Sequence, residues 1–238
     1  MKNLQAQTHE FNTKKIHFQC PPCNMECDTV HFSEPGACPT CGMKLFAAYQ
    51  GFENKEGSHG DNCNKKVAVL IFPGVEIIDF TGPWEVLAAA GMQVYSVSVS
   101  EATVATSMGL KIKPDYTFEN APAPDIVLIP GGNVRPADKT VTDWILKMNE
   151  KSEHLLSVCN GAFYLGKIGL LDNLKVTTFY SAIERLQQIT PKAIVVDSVR
   201  YADNGKIITA AGLSSGIDAA FHLVSVYLGK AQAKKLAV

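Results

Sequence analysis

The sequence predicts an α/β protein whose mostly parallel, doubly wound sheet carries helices on both faces, preceded by a small N-terminal knuckle module. Three observations predict it. From Lys65 onward, short β-branched runs alternate with helical patterns, as strand–helix–strand units require. Most of those runs are bounded by Gly or Pro, which punctuate strands. Five of the seven cysteines (Cys20, Cys23, Cys27, Cys38, Cys41) crowd into one segment ahead of the first run.

In chain order, the Cys- and Pro-rich module occupies residues 1–45. FAAYQGFENKEGSHGDNCN (46–64) is rich in Gly, Asn and charge with no apolar period, and reads as a linker. The domain at 65–238 then opens with strands KKVAVLIF (65–72), MQVYSVSVS (92–100), PDIVLIP (124–130), HLLSVC (154–159) and KVTTFY (175–180). Helical patterns lie between them in GPWEVLAAAG (82–91), TVTDWILKMNEKSE (140–153), GAFYLGKIGLL (161–171) and AIERLQQIT (182–190). Asp203-Asn204-Gly205 between two alternating runs predicts a hairpin. The last helix, SSGIDAAFHLVSVYLG (214–229), has Ser214 and Ser215 as candidate caps and closes on Gly229.

Composition narrows the function classes. With 238 residues, 46% hydrophobic and 19% charged, the chain has material for one substantial core and a small appendage, which excludes a disordered chain. The net charge of -1, without a run of five or six like charges, supplies no basic face, so nucleic acid is not an expected partner. The start MKNLQAQTHEFNTKK has no apolar core of a signal peptide, and no window approaches the length of a membrane span. A cytoplasmic location is therefore expected; a chain whose signal peptide had been trimmed would read the same.

The cysteine segment runs CPPCNMEC (20–27), ten residues, then CPTCGM (38–43). Each CPxC unit can form a knuckle whose backbone N–H groups point at two thiolates, and two facing knuckles give zinc its tetrahedral site. The expected ligands are Cys20, Cys23, Cys38 and Cys41, with Cys27 spare. The simplest role for the zinc is structural, folding a segment too short to have its own core. The segment resembles the small heavy-metal-binding domain found beside bacterial metal transporters: PGACPTCGMKL (35–45) matches the second half of that pattern at every fixed position. The first half departs from it, with Cys23 where the family usually has histidine, which shifts the expected donors toward four thiolates.

The second chemical signal is LLSVCNGAF (155–163). A strand ends on Cys159, then turns at once through Asn160 and Gly161 into a helix. Functional groups of doubly wound sheets collect at such carboxyl ends of strands. A residue on a sharp strand-to-helix turn projects clear of the sheet, and the helix N-terminus favours a thiolate, so a lowered thiol pKa is expected. The structural alternative is a small buried hydrophobe.

From Lys65 to about Gly229 the chain resembles the ThiJ/PfpI superfamily, with its flavodoxin-like, class I glutamine-amidotransferase-like fold, and within it the isonitrile hydratase branch. FPGVEIIDFTGPWEV (72–86), IPGG (129–132), SVCNGA (157–162) and TAAGLSSGID (209–218) carry the resemblance, in the family's order. It implies Cys159 as elbow nucleophile and Asp79 as the carboxylate beside it that moves protons; for Asp79 the alternative is an N-cap of a helix starting near Pro83. Gly131 and Gly132 are expected to turn backbone N–H groups toward an oxyanion, joined by the elbow N–H groups around Gly161, and Asn160 to orient substrate or water. Asn160 stands where isonitrile hydratases have threonine. Thr177-Thr178-Phe179 lacks the histidine that many relatives place after that strand, which removes the base from a protease or amidase reading. His154, five residues up the strand, lies roughly 16 Å away at ~3.3 Å per residue, and His222 reads as a core residue.

The expected function is a Cys-dependent hydratase or lyase without a catalytic cofactor, acting on a small electrophile such as an isonitrile or reactive carbonyl, in a homodimer by analogy with the family. The competing reading is a non-catalytic redox-sensing or binding protein, with the metal module as docking or metal-sensing element. A regulator fused to a helix-turn-helix reader is not expected, since about nine residues follow Gly229.

Overall fold

The computed structural model describes residues 16–19, 30–34, 36–43, 45–49 and 63–237, and the chain divides into two units between Ser58 and His59. In the first unit, β1 (Ile16–Gln19) pairs antiparallel with both β2 (His31–Phe32) and β3 (Phe46–Tyr49). The third of these strands lies within the stretch expected to be linker. The CPTCGM segment is a tight turn in which Gly42 N–H donates to the Cys38 carbonyl (2.8 Å) and Cys38 N–H to the Met43 carbonyl (2.7 Å). Cys38 is buried against Leu45, with Cys41 and Met43 packed beside them. Cys20, Cys23 and Cys27 lie outside the described residues.

The second unit is built on β4 (Lys66–Leu70), β5 (Gln93–Ser98), the hairpin β6–β7 (Val104–Ala105, Lys111–Ile112), β8 (Tyr116–Thr117), β9 (Ile126–Ile129), β10 (His154–Val158), β11 (Lys175–Val176), β12 (Ile194–Val195), β13 (Tyr201–Asp203) and β14 (Ile207–Ala210). Seven of these form one sheet in the order β13-β14-β10-β9-β4-β5-β8, parallel except for β13 at one edge. Numbered within this unit, its five main strands run 2-1-3-4-5, the flavodoxin-like order, and the direction of winding reverses between β4 and β9. The expected fold class is met in this unit. β4, β9, β10 and β14 are apolar almost throughout because both faces are covered.

The helices are α1 (Ile77–Ala89), α2 (Lys139–Lys151), α3 (Ala162–Lys167), α4 (Ile183–Ile189) and α5 (Ser214–Leu236). Asp138 caps α2 through its carboxylate, which accepts from Thr140 N–H at 3.0 Å. α5 breaks at Gly229, as expected, and then resumes. The Asp203-Asn204-Gly205 hairpin joins β13 to β14.

Three local expectations fail, each for a physical reason. KVTTFY contributes only β11, which pairs with β12 outside the main sheet. The hydroxyls of the next two residues take over: Thr177 Oγ1 donates to the Val196 carbonyl (2.8 Å) and Thr178 Oγ1 to the Cys159 carbonyl (2.7 Å). Neither Ser214 nor Ser215 caps α5; its first residue is preceded by Leu213 at φ 48, and Ser214 Oγ accepts from Arg200 instead. His222 is half-buried, with Nε2 2.7 Å from the Asp203 carboxylate, and so is paired with charge rather than with the core.

Candidate active site

At the carboxyl end of β10 the chain turns through Cys159–Gly161 as a single 3-10 turn into α3. Cys159 adopts φ 56, a left-handed conformation that costs a non-glycine residue about 1–2 kcal/mol. Such strain at a strand-to-helix corner marks a nucleophile elbow. The turn is held tightly: Thr178 pins the Cys159 carbonyl, and a Cβ on Gly161 would run into the backbone carbonyls of Ile129 and Pro130, so β9 approaches here as only glycine allows. Replacing Cys159 with Gly is expected to raise stability by about 1 kcal/mol, whereas Ala gives no such gain. Denaturant unfolding of the two variants against the parent checks this, and equal midpoints for Gly and Ala would remove strain from the account.

Asp79 reaches the same corner from the first turn of α1. That helix starts at Ile77, six residues before Pro83, and its N-cap is Glu76, so Asp79 is not a cap. The Asp79 side chain is wholly buried. Oδ1 accepts from Leu213 N–H at 2.9 Å and Oδ2 from Gly131 N–H at 3.2 Å, which leaves the carboxyl in hydrogen-bonding contact with the Cys159 thiol. Burial raises the Asp79 pKa above its ordinary 3.8, against the pull of those two N–H groups.

Burial also pushes the Cys159 thiol up, to about 12 from 9.0, with the adjacent Asp79 charge adding to the effect and the Asn160 N–H opposing it. This reverses the lowered thiol pKa expected from the helix terminus. A buried thiol facing a carboxylate outweighs one short turn of helix, because desolvation and a like charge both disfavour thiolate. The sulfur therefore rests as a thiol, with the Asp79 carboxyl placed to accept its proton as the sulfur attacks.

The glycines and Asn160 are differently employed than expected. Asn160 Oδ1 accepts from Gly132 N–H (2.8 Å) and its Nδ2 donates to the Gly132 carbonyl (2.9 Å), so the amide clamps one residue of the β9 loop through both of its peptide groups. With Gly131 N–H on Asp79 and Gly132 N–H on Asn160, two of the amides expected at an oxyanion serve the site's own side chains, which leaves that role to the elbow N–H groups. Gly131 lies at the crowded centre: a Cβ there would sit 2.5 Å from Asn160 Oδ1, 2.7 Å from Asp79 Oδ2 and 2.7 Å from Cys159 Cβ.

A cleft of about 420 Å³ opens over the thiol. Its walls are Met108 from the tip of the β6–β7 hairpin, Phe179 in the place where histidine would stand, Leu213, Glu76, and the Gly132 and Asn160 pair. Sequence reasoning missed Glu76, Met108, Leu213 and Thr178. Glu76, three residues before Asp79 in a quoted motif, was the one open to detection; Leu213 acts through its backbone, which carries no side-chain signal. Among the described residues, no group of three or more His, Cys, Asp or Glu is placed to hold a metal.

Comparison with known proteins agrees with this geometry. The chain is 35% identical over 168 residues to an isonitrile hydratase of Pseudomonas putida, covering 69% of this chain and 72% of that protein. It is 26% identical over 143 residues to the HTH-type transcriptional regulator GbdR of Pseudomonas aeruginosa, spanning 59% of this chain but 36% of the regulator. Among solved structures, a ThiJ/PfpI family protein from Pseudomonas syringae superposes with a TM-score of 0.68 at 26% identity, covering 73% of each chain. Residues 65–226 match the DJ-1/PfpI family, and with the elbow cysteine at the end of β10 and the buried acid of α1 beside it, the chain belongs to that family.

Proposed function

We propose that this chain is a Cys-dependent hydratase or lyase, working without a catalytic cofactor on a small electrophile, an isonitrile or a reactive carbonyl. The observation that carries the proposal is the contact between the Cys159 thiol and the buried Asp79 carboxyl at the floor of an open cleft, in a chain 35% identical to an isonitrile hydratase. For an isonitrile, the sulfur bonds to the terminal carbon while Asp79 takes the thiol proton and returns it to that carbon, giving a thioimidate. Water then adds across the C=N bond, its hydroxyl to the thioimidate carbon and one proton to the nitrogen; the C–S bond breaks as the hydroxyl becomes the carbonyl, its proton passes to the sulfur, and an N-substituted formamide leaves. Asp79 serves as base and then acid, which a carboxyl with a raised pKa suits. Asn160 holds the β9 loop so that Gly131 N–H stays on Asp79, and thus acts on the reaction through its neighbours.

The relatives include a transcriptional regulator, which favours a second reading in which the elbow cysteine serves binding or redox sensing without turnover. A turnover screen of the full chain against isonitriles, glyoxals and amides, with Cys159→Ala as control, separates the two. Formamide from isonitriles that vanishes in the variant supports the hydratase; no turnover of any class, with Cys159 reversibly oxidised by peroxide, supports the sensor.

For the N-terminal unit, we propose a structural zinc held by Cys20, Cys23, Cys38 and Cys41. The CPTCGM turn fits such a group, since its closed backbone presents Cys38 and Cys41 from one knuckle. Elemental analysis of the full chain is expected to give one zinc per chain. Cys38→Ser or Cys20→Ser should remove it and Cys27→Ser should not; the reverse pattern would reject this ligand set. Homodimerisation, the family's habit, belongs to the same proposal, and a monomer by light scattering at micromolar concentration would reject it.

A further inference from the structure

The cleft over Cys159 carries a charge and a texture that the proposed chemistry leaves open. Of the residues lining it, Glu76 alone is ionisable apart from the thiol, and its carboxylate is fixed by Ser107 Oγ, which donates to Oε2 at 2.9 Å. Glu76 and Asp79 both act on Cys159 as negative charges, and no cation among the described residues lines the cleft against them. Gly132 and the Asn160 side chain hydrogen-bond one another, and the Asn160 backbone N–H is directed at the Cys159 thiol, so these groups are already engaged by the site itself.

The rest of the rim is apolar and exposed. Met108 is 76% exposed and Leu213 46%, and Tyr180, 80% exposed, rests against Phe179 with ring centroids 4.5 Å apart. The loop carrying Met108 is fastened to the β4–α1 loop by Ser107 N–H on the Val75 carbonyl (3.0 Å) and closed by Thr106 N–H on the Leu110 carbonyl (2.8 Å), so the methionine has a fixed base. Exposed apolar side chains gathered at the mouth of a cleft mark a binding surface for an apolar group.

We infer that this site takes neutral electrophiles bearing an apolar substituent and rejects carboxylated ones, with Glu76 as the rejecting group and Met108, Phe179 and Leu213 as the seat of the substituent. The inference rests on Cys159 being the reacting group of the proposed function and names the substrate class for it. Phe179 then has a role of its own: where a histidine would add a proton carrier, the phenyl ring adds apolar wall.

The test uses two reagents of nearly the same shape, iodoacetamide and iodoacetate, with alkylation of the full chain followed at the Cys159 peptide by mass spectrometry. The ratio of the two rates cancels the thiolate fraction, which any change of charge near the sulfur would alter. Relative to the same ratio on a short cysteine peptide, Cys159 is expected to prefer iodoacetamide by at least ~10-fold, the effect of a like charge a few ångströms away in a partly dry cleft. Glu76→Gln should reduce that preference by about 5-fold or more. In a second arm, N-phenyl iodoacetamide should outpace iodoacetamide, and Met108→Ala or Phe179→Ala should lower that advantage about 5-fold, the value of a few tens of Å² of apolar contact. A preference no greater than the peptide's, or one that Glu76→Gln leaves intact, overturns the inference; a thiol inert to all three reagents overturns the cleft as its entry path and the inference with it. Because alkylation requires no turnover, charge selection that persists in a chain without hydratase activity would reject the proposed function alone.

Discussion

Asp79→Asn is expected to lower turnover of an isonitrile by roughly 100- to 10,000-fold, the range assigned to a general acid or base placed at the reacting atoms. Two effects act together. A carboxamide cannot accept the Cys159 proton, and it cannot accept both backbone donors either: Gly131 N–H and Leu213 N–H each point at a carboxylate oxygen, so the amide's own NH₂ must face one of them. Asp79→Glu keeps the proton chemistry but adds a methylene in a wholly buried place hemmed in by Gly131 and Cys159, and should lose nearly as much. Steady-state formamide production by the parent and both variants checks this. A glutamate variant near parental activity would mean that the carboxyl has more freedom than the hydrogen bonds allow it.

Gly131→Ala is expected to be the most damaging single methyl group in the site. Its Cβ would contact Asn160 Oδ1, Asp79 Oδ2 and Cys159 Cβ at distances no atoms tolerate, and each is fixed: Asn160 by its two bonds to Gly132, Asp79 by two N–H groups, Cys159 by its strained turn. Overpacking of this kind costs about 1–3 kcal/mol, and the shift needed to relieve it moves acid and thiol apart. Loss of more than ~100-fold in turnover, with a drop of that size in unfolding free energy, is the expected outcome. Gly109→Ala serves as control, because no atom lies within 4 Å of the Cβ it would add, so only the strain of its φ +85 remains. Should Gly131→Ala retain activity, the packing at the centre of the site is looser than described.

What the sequence disclosed depended on whether a signal was local. The parallel strands were legible because burial on both faces writes itself as short apolar runs, and the elbow because a cysteine at the end of such a run, followed by Asn-Gly, is local in the chain. The β11 region was misread for a related reason: two threonines favour a strand by shape, yet here their hydroxyls serve Val196 and the elbow carbonyl. Asp79 was legible as a residue but not as an environment, since its partners Gly131 and Leu213 come from 52 and 134 residues away. That environment decides the thiol's behaviour. The helix end visible in the sequence argues for a lowered pKa, and only the assembled site brings the burial and the facing carboxylate that raise it.

The central claim is that Cys159 rests as a thiol whose proton Asp79 is placed to take. The pH dependence of Cys159 alkylation in the full chain, read at its own peptide for the parent and for Asp79→Asn, tests it most directly. With the folded thiol pushed up to about 12, the parent rate should climb with pH without levelling off below about pH 10. Removing the Asp79 charge takes away one of the causes that raise it, so the Asp79→Asn profile should move to lower pH and the variant, though slow in turnover, should alkylate about 10-fold faster at pH 8. A parent profile that levels off at or below the ordinary cysteine value near 8.5, and that Asp79→Asn leaves in place, would contradict the account.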